Sequence, residues 1–391
     1  MSSYAGERKQ MSLLRRERQL RPDLALVIPY LLLTALGLVM IYSASAPRLE
    51  AIGVNPSREL EQQAAFVLIG FAAFAIVSVI DLRFVRPWVP AVYLGSVVTL
   101  ILVISPLGSA VKGAQRWIQL GPIRFQPSEI AKVAVILGLA MLLSGAAKPM
   151  HWERVARAVI LVAFPAVLIF LQPDLGTMLT FGFIAGVMVF VAGATWRQMA
   201  ALLVAGLVGT VGVFQTGAIK AYQITRLTAF LDETSDVLNT QYNQYQSQIA
   251  IGTGGLFGKG LFNGTQTNLR FVPEQSSDFI FTAVGEQLGF IGSLFVLVLF
   301  GIIIWRALAS ASNAIDRFSQ LVATGVAALI AFHVFVNIGM TVRVMPVTGL
   351  PLPFMSSGGT VFVTMSIALG LVHSVWMRRS PLVGERTSVN D

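Results

Sequence analysis

Apolar runs about twenty residues long recur from Leu24 almost to the end of the chain, separated by short charged or Pro/Gly-rich breaks. A bilayer core takes roughly 20 residues of helix to cross. In lipid the backbone must satisfy its own hydrogen bonds, so each run is predicted as a helix. Ten spans result, at 24–45, 62–80, 88–107, 127–145, 156–171, 175–193, 197–215, 278–305, 318–340 and 357–377. The fifth and sixth meet at Gln172-Pro173-Asp174, and the seventh is rich in glycine. The chain is therefore expected to be an all-α polytopic membrane protein with both termini on one side.

The polar segments set the orientation. The N-terminal stretch carries Arg8, Lys9, Arg15, Arg16, Arg18 and Arg21, and is too polar before Leu24 for a signal peptide. Placing it in the cytoplasm gives that side 17 basic residues against 10 outside, and 17 against 6 once the long outer loop is set aside. Positive charge favours the cytoplasmic side. The predicted organisation is a basic cytoplasmic segment at 1–23, one ten-helix membrane domain at 24–377 and a cytoplasmic tail at 378–391. Inner loops are short and basic, with no room for a soluble catalytic domain. Outside lie loops at 108–126 and 341–356 and a large extracytoplasmic loop at 216–277, between helices 7 and 8. Loops that long are usually functional or disordered, and this one is too patterned for disorder.

Composition narrows the chemistry. With 55% hydrophobic and 12% charged residues and a mean hydropathy of +0.73, soluble, fibrous and disordered classes are excluded. The chain has no cysteine, and His151, His333 and His373 are scattered, which removes thiolate chemistry and a zinc-type ligand spacing. Catalysis must then rest on carboxylates, basic groups and hydroxyls. The net charge of +9 reports topology and contact with anionic membrane lipids, with no nucleic-acid partner expected.

Several segments concentrate polar groups. Glycines 252, 254, 255, 258, 260 and 264 surround Lys259, but Thr253 and Gly260 break the phosphate-loop pattern. What remains is a turn-rich lid, or a lysine placed to meet a diphosphate. Upstream, 241–251 is a polar-aromatic segment predicted as a helix, packed on the protein or lying along the interface. In 271–281, Glu274 and Asp278 stand four apart where the loop gives way to the eighth span. Ser276 or Ser277 is a candidate cap, with Asp278 in the first turn, where the helix dipole favours an anion. There Asp278 serves either as a dipole partner or as a general base or cation ligand. Lys112, Arg116 and Arg124 lie in the outer loop at 108–126, followed by Gln126, Ser128, Glu129 and Lys132. Glu129 and Lys132 are three apart on one helical face inside a span, a pair that is either structural or part of a functional path. Asp174 either caps the sixth helix or faces the same cavity. The segment from Arg343 to Gly359, with three prolines and then Ser357, reads as a stiff wall of the outer cavity. His333 and Asn337, four apart, fit interhelical hydrogen bonding.

Taken together, Gly113-Ala114-Gln115-Arg116-Trp117-Ile118, Gln126-Pro127-Ser128-Glu129-Ile130-Ala131-Lys132, Gln172-Pro173-Asp174-Leu175-Gly176-Thr177, Pro273-Glu274 to Asp278-Phe279-Ile280-Phe281 and Pro351-Leu352-Pro353-Phe354 resemble the SEDS family, in this order and over essentially all ten spans. Asn337-Ile338-Gly339-Met340, Pro346-Val347-Thr348-Gly349 and Val272-Pro273-Glu274-Gln275 are similar to its elongation branch more than to its division branch. Ser356-Ser357-Gly358-Gly359 and Ser276-Ser277-Asp278 depart from the Ser-Tyr-Gly-Gly and His-Thr-Asp runs that the family often has. The resemblance implies a peptidoglycan glycosyltransferase of the bacterial plasma membrane that polymerises lipid II outside, beside a class B penicillin-binding protein that crosslinks the strands. It makes Asp278 the essential residue, either the base or a carboxylate that holds a cation. Substrate contacts are expected at Arg116, Gln126, Ser128, Glu129, Lys132, Asp174, Lys259, Glu274, Arg343 and Ser357. A divalent cation, Mg²⁺ or Mn²⁺, suits the diphosphate leaving group. The substrate arrives activated, so no nucleotide is expected. A flippase for the lipid-linked precursor and a non-catalytic scaffold are the rival readings.

Overall fold

The computed structural model describes residues 22–111, 114–121, 123–215, 242–269 and 271–379. Lys112 and most of the first part of the long loop fall outside them. The described chain is mostly helical. In order come α1 (Leu24–Ala51), α2 (Arg58–Val79), and α3 (Leu82–Val85), which leads through one 3-10 turn into α4 (Val89–Ile104). Then follow α5 (Pro127–Leu143), α6 (Trp152–Leu171), α7 (Leu175–Val191), α8 (Trp196–Gln215), α9 (Tyr242–Gly254) and the single turn α10 (Thr265–Asn268). The last three are α11 (Ile280–Ser312), α12 (Arg317–Thr341) and α13 (Gly359–Met377).

Among the described residues, seven helical stretches are long and apolar enough to cross a membrane: Leu24–Ala51, Arg58–Val79, Leu82–Ile104, Trp152–Leu171, Ile280–Ser312, Arg317–Thr341 and Gly359–Met377. Leu175–Val191 and Trp196–Gly209 are apolar but shorter, and α5, with 17 residues, carries Glu129 and Lys132. The most apolar windows of α12 and α13 are 78% buried, whereas those of α2, α3–α4, α6 and α11 are only 22–28% buried. Apolar surface left outside on that scale suits lipid, not water. On α5, 14 of 17 residues are buried, which sets it beside α12 in the centre.

The all-helical expectation needs one correction. The outer segment after α4 forms a three-stranded antiparallel sheet, β1 (Gly108–Val111), β2 (Ala114–Leu120) and β3 (Ile123–Phe125), in that order. Ser109 pairs with Trp117, and Ile118 with Phe125. The strands are short and lack clean alternation, so pattern alone did not mark them. The sheet is fixed to the bundle through Gln115, whose Nε2 donates to the carbonyls of Ser105 (2.8 Å) and Gly108 (3.1 Å).

A second correction concerns the eighth predicted span. It begins at Ile280 instead of 278, runs on to Ser312, and breaks at Gly289, where φ is 66° and ψ −162°. A helix break leaves amides and carbonyls unmatched. The glycine-rich loop fills that gap: Lys259 N donates to Glu286 O (3.0 Å), Gly260 N to Gln287 O (3.0 Å), Phe290 N to Gly255 O (2.9 Å) and Ile291 N to Leu256 O (3.1 Å). At Gly258 a Cβ would meet Gln287 O at 2.1 Å, so backbone can approach backbone only because no side chain is there. The glycines around Lys259 thus complete a discontinuous helix.

The opposite end of the bundle is tied by ion pairs. Arg306 bonds Asp23 through Nε (3.1 and 3.0 Å) and stacks its guanidinium 3.8 Å from the Trp376 ring. Arg378 reaches the carbonyl of Ser78 at 3.3 Å and lies 3.6 Å from Asp81. The Asp81 carboxyl, outside the spans, is held below its ordinary range chiefly by the Arg83 side chain.

Candidate active site

Pro273 opens a run of turns that lasts to Phe279. The amides of Asp278 and Phe279 both donate to the carbonyl of Glu274 at 3.1 Å, which folds the two carboxylate-bearing residues into one compact turn. Phe279 is the N-cap of α11, and no side chain caps the helix. The expected serine cap is corrected: Ser277 Oγ points back to Glu274 at 3.4 Å. Asp278 therefore stands just before the helix, half-buried at its positive end.

The turn is pinned from α12. Asn337, fully buried, donates from Nδ2 to Asp278 O and to Leu350 O, both at 2.8 Å. One turn earlier, His333 Nδ1 lies 3.1 Å from Pro351 O, and its Nε2 lies 3.1 Å from Lys132 Nζ. Lys132 is 0% exposed and pairs with Glu129 at 2.8 Å. The expected i,i+3 pair is present, and α12 links it to the loop that faces Asp278. A Cβ on Gly349 would stand 3.5 Å from Asp278 Oδ2. The same loop lies against α7, because a Cβ on Gly176 would meet Thr348 O at 3.0 Å.

Asp174 begins α7 and caps it, accepting from Thr177 N (3.2 Å) and Thr177 Oγ1 (3.1 Å). Arg116 of β2 stands 3.8 Å from Asp174 and donates to the carbonyls of Gln172 (3.2 Å) and Pro173. Of the two readings of Asp174 the structure shows the cap, with Arg116 as its nearby cation. Ser357 is drawn to the turn by its amide, which donates to Ser276 O at 2.8 Å. Its neighbour Gly358 donates to Gln63 of α2 at 3.0 Å. Gln126 occupies the N-cap position of α5, and Arg343 lies just past Val342, the C-cap of α12, with φ 61°. Phe354 anchors the wall, 3% exposed with its ring 4.9 Å from that of Tyr30. Four buried oxygens here have no hydrogen-bond partner: Ser128 Oγ, Glu129 Oε2, Asn337 Oδ1 and Thr348 Oγ1. Unsatisfied acceptors inside a protein imply water or a ligand group.

Lys259 is placed differently. Its Nζ is 3.0 Å from Glu286 Oε1 and 2.6 Å from Thr265 Oγ1. Glu286, fully buried, also accepts from the amides of Gln266 (2.8 Å) and Thr267 (2.9 Å) and from the Thr265 and Thr267 hydroxyls. Gln275 joins this network through Thr267 Oγ1 at 2.8 Å. Sequence reasoning missed Glu286, although a carboxylate six residues inside an apolar span is a signal in its own right. The polar-aromatic helix α9 packs on protein: Gln244 Nε2 donates to Met340 O (3.1 Å) and Met345 O (2.8 Å), and Ser247 bonds Thr282 (2.6 Å).

A bundle with a carboxylate turn at one end, walled by an arginine-aspartate pair and a buried lysine-glutamate pair, defines a class that comparison with known proteins identifies. Residues 23–380 match the family of cell cycle proteins FtsW, RodA and SpoVE, and the chain belongs to that family. It is 36% identical over 365 residues to the peptidoglycan glycosyltransferase MrdB of Escherichia coli K12, covering 93% of this chain and 95% of that protein. A solved structure described as the structural coordination of polymerization and crosslinking by a peptidoglycan synthase complex is similar with a TM-score of 0.77 and 30% identity, over 92% of this chain and 99% of that one. The crystal structure of the rod shape determining protein RodA of Thermus thermophilus is similar with a TM-score of 0.68 and 29% identity, over 93% of this chain and 99% of that one. The chain is a multi-pass membrane protein.

Proposed function

We propose that this chain is a peptidoglycan glycosyltransferase of the bacterial plasma membrane that polymerises lipid II on the outer face during cell elongation, with Asp278 as general base. In this reading it crosses the membrane ten times, with both termini in the cytoplasm. The observation that carries the reading is the turn before α11. There Asp278 is held by its own backbone through Asn337, while its carboxylate faces the Gly349 loop. A base must be positioned before it is tuned.

The reaction asks for one proton acceptor and a place for a diphosphate to leave. Asp278 takes the proton of the acceptor's 4-hydroxyl as that oxygen bonds to C1 of the donor N-acetylmuramic acid. The bond from C1 to the phosphate oxygen breaks from the opposite face, with inversion, and undecaprenyl diphosphate departs with the electron pair. Negative charge grows on that diphosphate, and preorganised donors stabilise it. Arg116 and Arg343 are the basic residues best suited to that task. Lys132 fixes Glu129 and, through His333, the loop over Asp278. Lys259 is engaged by Glu286 and serves the architecture of the broken helix.

Among the described residues no three of His, Cys, Asp or Glu come together as a metal cage. Thr348, next to Gly349, and Asn337, which holds the Asp278 carbonyl, each keep a buried oxygen without a hydrogen-bond partner, which supports a hard cation in this region. A Mg²⁺ or Mn²⁺ ion would then be held by Asp278 and by the substrate's own phosphates, supplying charge neutralisation for the leaving group. The partner in this reading is a class B penicillin-binding protein. The prenyl chain would lie in grooves between the helices that face lipid.

The test is to incubate the purified chain with lipid II and a divalent cation. Glycan strands that a muramidase digests are expected. No polymer, even with the class B partner present, would favour a flippase or a scaffold.

A further inference from the structure

Between the outer end of α1 and the turn that carries Asp278 lies a cavity of about 270 Å³. Its lining is divided: Val272 and Pro273 supply an apolar side, and Ser45, Arg48, Gln275 and Ser276 a polar one. Ser276 ties this wall to the catalytic turn, since its carbonyl holds the Ser357 amide and it precedes Asp278 by two residues.

Ser45 is the telling residue. It is 1% exposed, and its hydroxyl has no hydrogen-bond partner. A serine or threonine within a helix ordinarily settles its hydroxyl on the carbonyl four residues back. Thr34 does so on Tyr30 O at 2.8 Å and Ser310 on Arg306 O at 2.9 Å. A buried hydroxyl without a partner costs about 1–3 kcal/mol, and Ser45 is one of the residues that bound the cavity beside the site.

Size, polarity and charge together select the occupant. Sites for larger ligands begin at roughly 300 Å³, so this cavity suits a single ring. A prenyl chain would leave the Ser45 hydroxyl unsatisfied. A diphosphate would need uncompensated positive charge, and Arg48 is already matched by Glu59. A hexosamine ring offers hydroxyls and an amide along its edge and an apolar C–H face, which is the division the lining shows.

We propose that this cavity is a saccharide subsite that takes one N-acetylhexosamine ring of the substrate, with Ser45 hydrogen-bonded to it and Pro273 against its apolar face. The inference rests on the glycosyltransferase reading above and adds the place where a sugar next to the reacting one is held.

The experiment uses the full chain with Asp278→Asn, to hold substrate without turnover, and measures equilibrium binding of fluorescent lipid II and of undecaprenyl diphosphate. Ser45→Met, which fills the cavity, is expected to weaken lipid II binding roughly tenfold or more, and Ser45→Ala about fivefold. Neither changes the affinity for undecaprenyl diphosphate, which has no sugar. Equal losses for both ligands, or lipid II binding unchanged in both variants, would overturn the subsite. Strand formation by the Asp278→Asn chain, seen separately on a gel, would count against the base and not against the cavity.

Discussion

Replacing Glu286 by glutamine tests whether Lys259 belongs to the architecture or to the substrate. The carboxylate is fully buried and accepts from Lys259, Thr265, Gln266 and Thr267, with distances of 2.7–3.2 Å. Glutamine keeps one acceptor oxygen and sets an amide NH₂ where the other stood, so at least one backbone N–H loses its partner. It also removes the negative charge that Lys259 faces. Breaking a buried charged pair costs about 3–5 kcal/mol. For 391 residues at roughly 2 cal/mol/K each, that is a fall in Tm of about 4–6 °C. Lys259→Met leaves the carboxylate its backbone and hydroxyl donors and is expected to cost about 1–2 kcal/mol. The assay is thermal unfolding in detergent, paired with strand synthesis from lipid II. The lock predicts that Glu286→Gln is the less stable variant and that Lys259→Met still makes strands. An unshifted Tm in Glu286→Gln, or loss of synthesis in Lys259→Met at parental Tm, would refute it.

Asn337→Leu removes both 2.8 Å bonds that hold the Asp278 carbonyl to the Leu350 loop. Strand synthesis should drop about 10- to 100-fold, as expected for a misplaced base, with lipid II binding little changed, measured as initial rate against substrate concentration. Asp81, whose carboxyl is held low chiefly by the Arg83 side chain, contributes stability that is complete above the ordinary carboxylate pKa near 4 and is lost as pH falls through its lowered value. Unfolding of Asp81→Asn against the parent should therefore show a gap below about 1 kcal/mol at neutral pH, given its partial exposure, that closes in acid.

What could be read from sequence follows from where the physics is local. Apolar runs must be helices in lipid, so the helical stretches were legible, and a lysine inside one of them had to find Glu129. Asp278 stood out because the chain changes from polar to apolar beside it. Other features depend on meetings that no local pattern encodes. The partners of Glu286 lie about twenty residues upstream in α10, and a carboxylate in an apolar span does not name them. Gly289 looks like any glycine in a long run, yet it breaks α11 because Gly258 and its neighbours stand opposite. The sheet at Gly108–Phe125 is three short strands held by cross-pairing. Asn337 was readable as an interhelical hydrogen-bonder, but its grip on the Asp278 backbone joins residues 59 apart in sequence. The orphaned hydroxyl of Ser45 is likewise visible only once its neighbours are placed.

The most direct measurement compares the purified chain with its Asp278→Asn variant in lipid II polymerisation, both checked for equal folding and equal lipid II binding. With a general base at this position, the variant binds substrate and makes no strands. Strands formed at the parental rate by a variant without that carboxylate would remove Asp278 from the chemistry, and the mechanism with it.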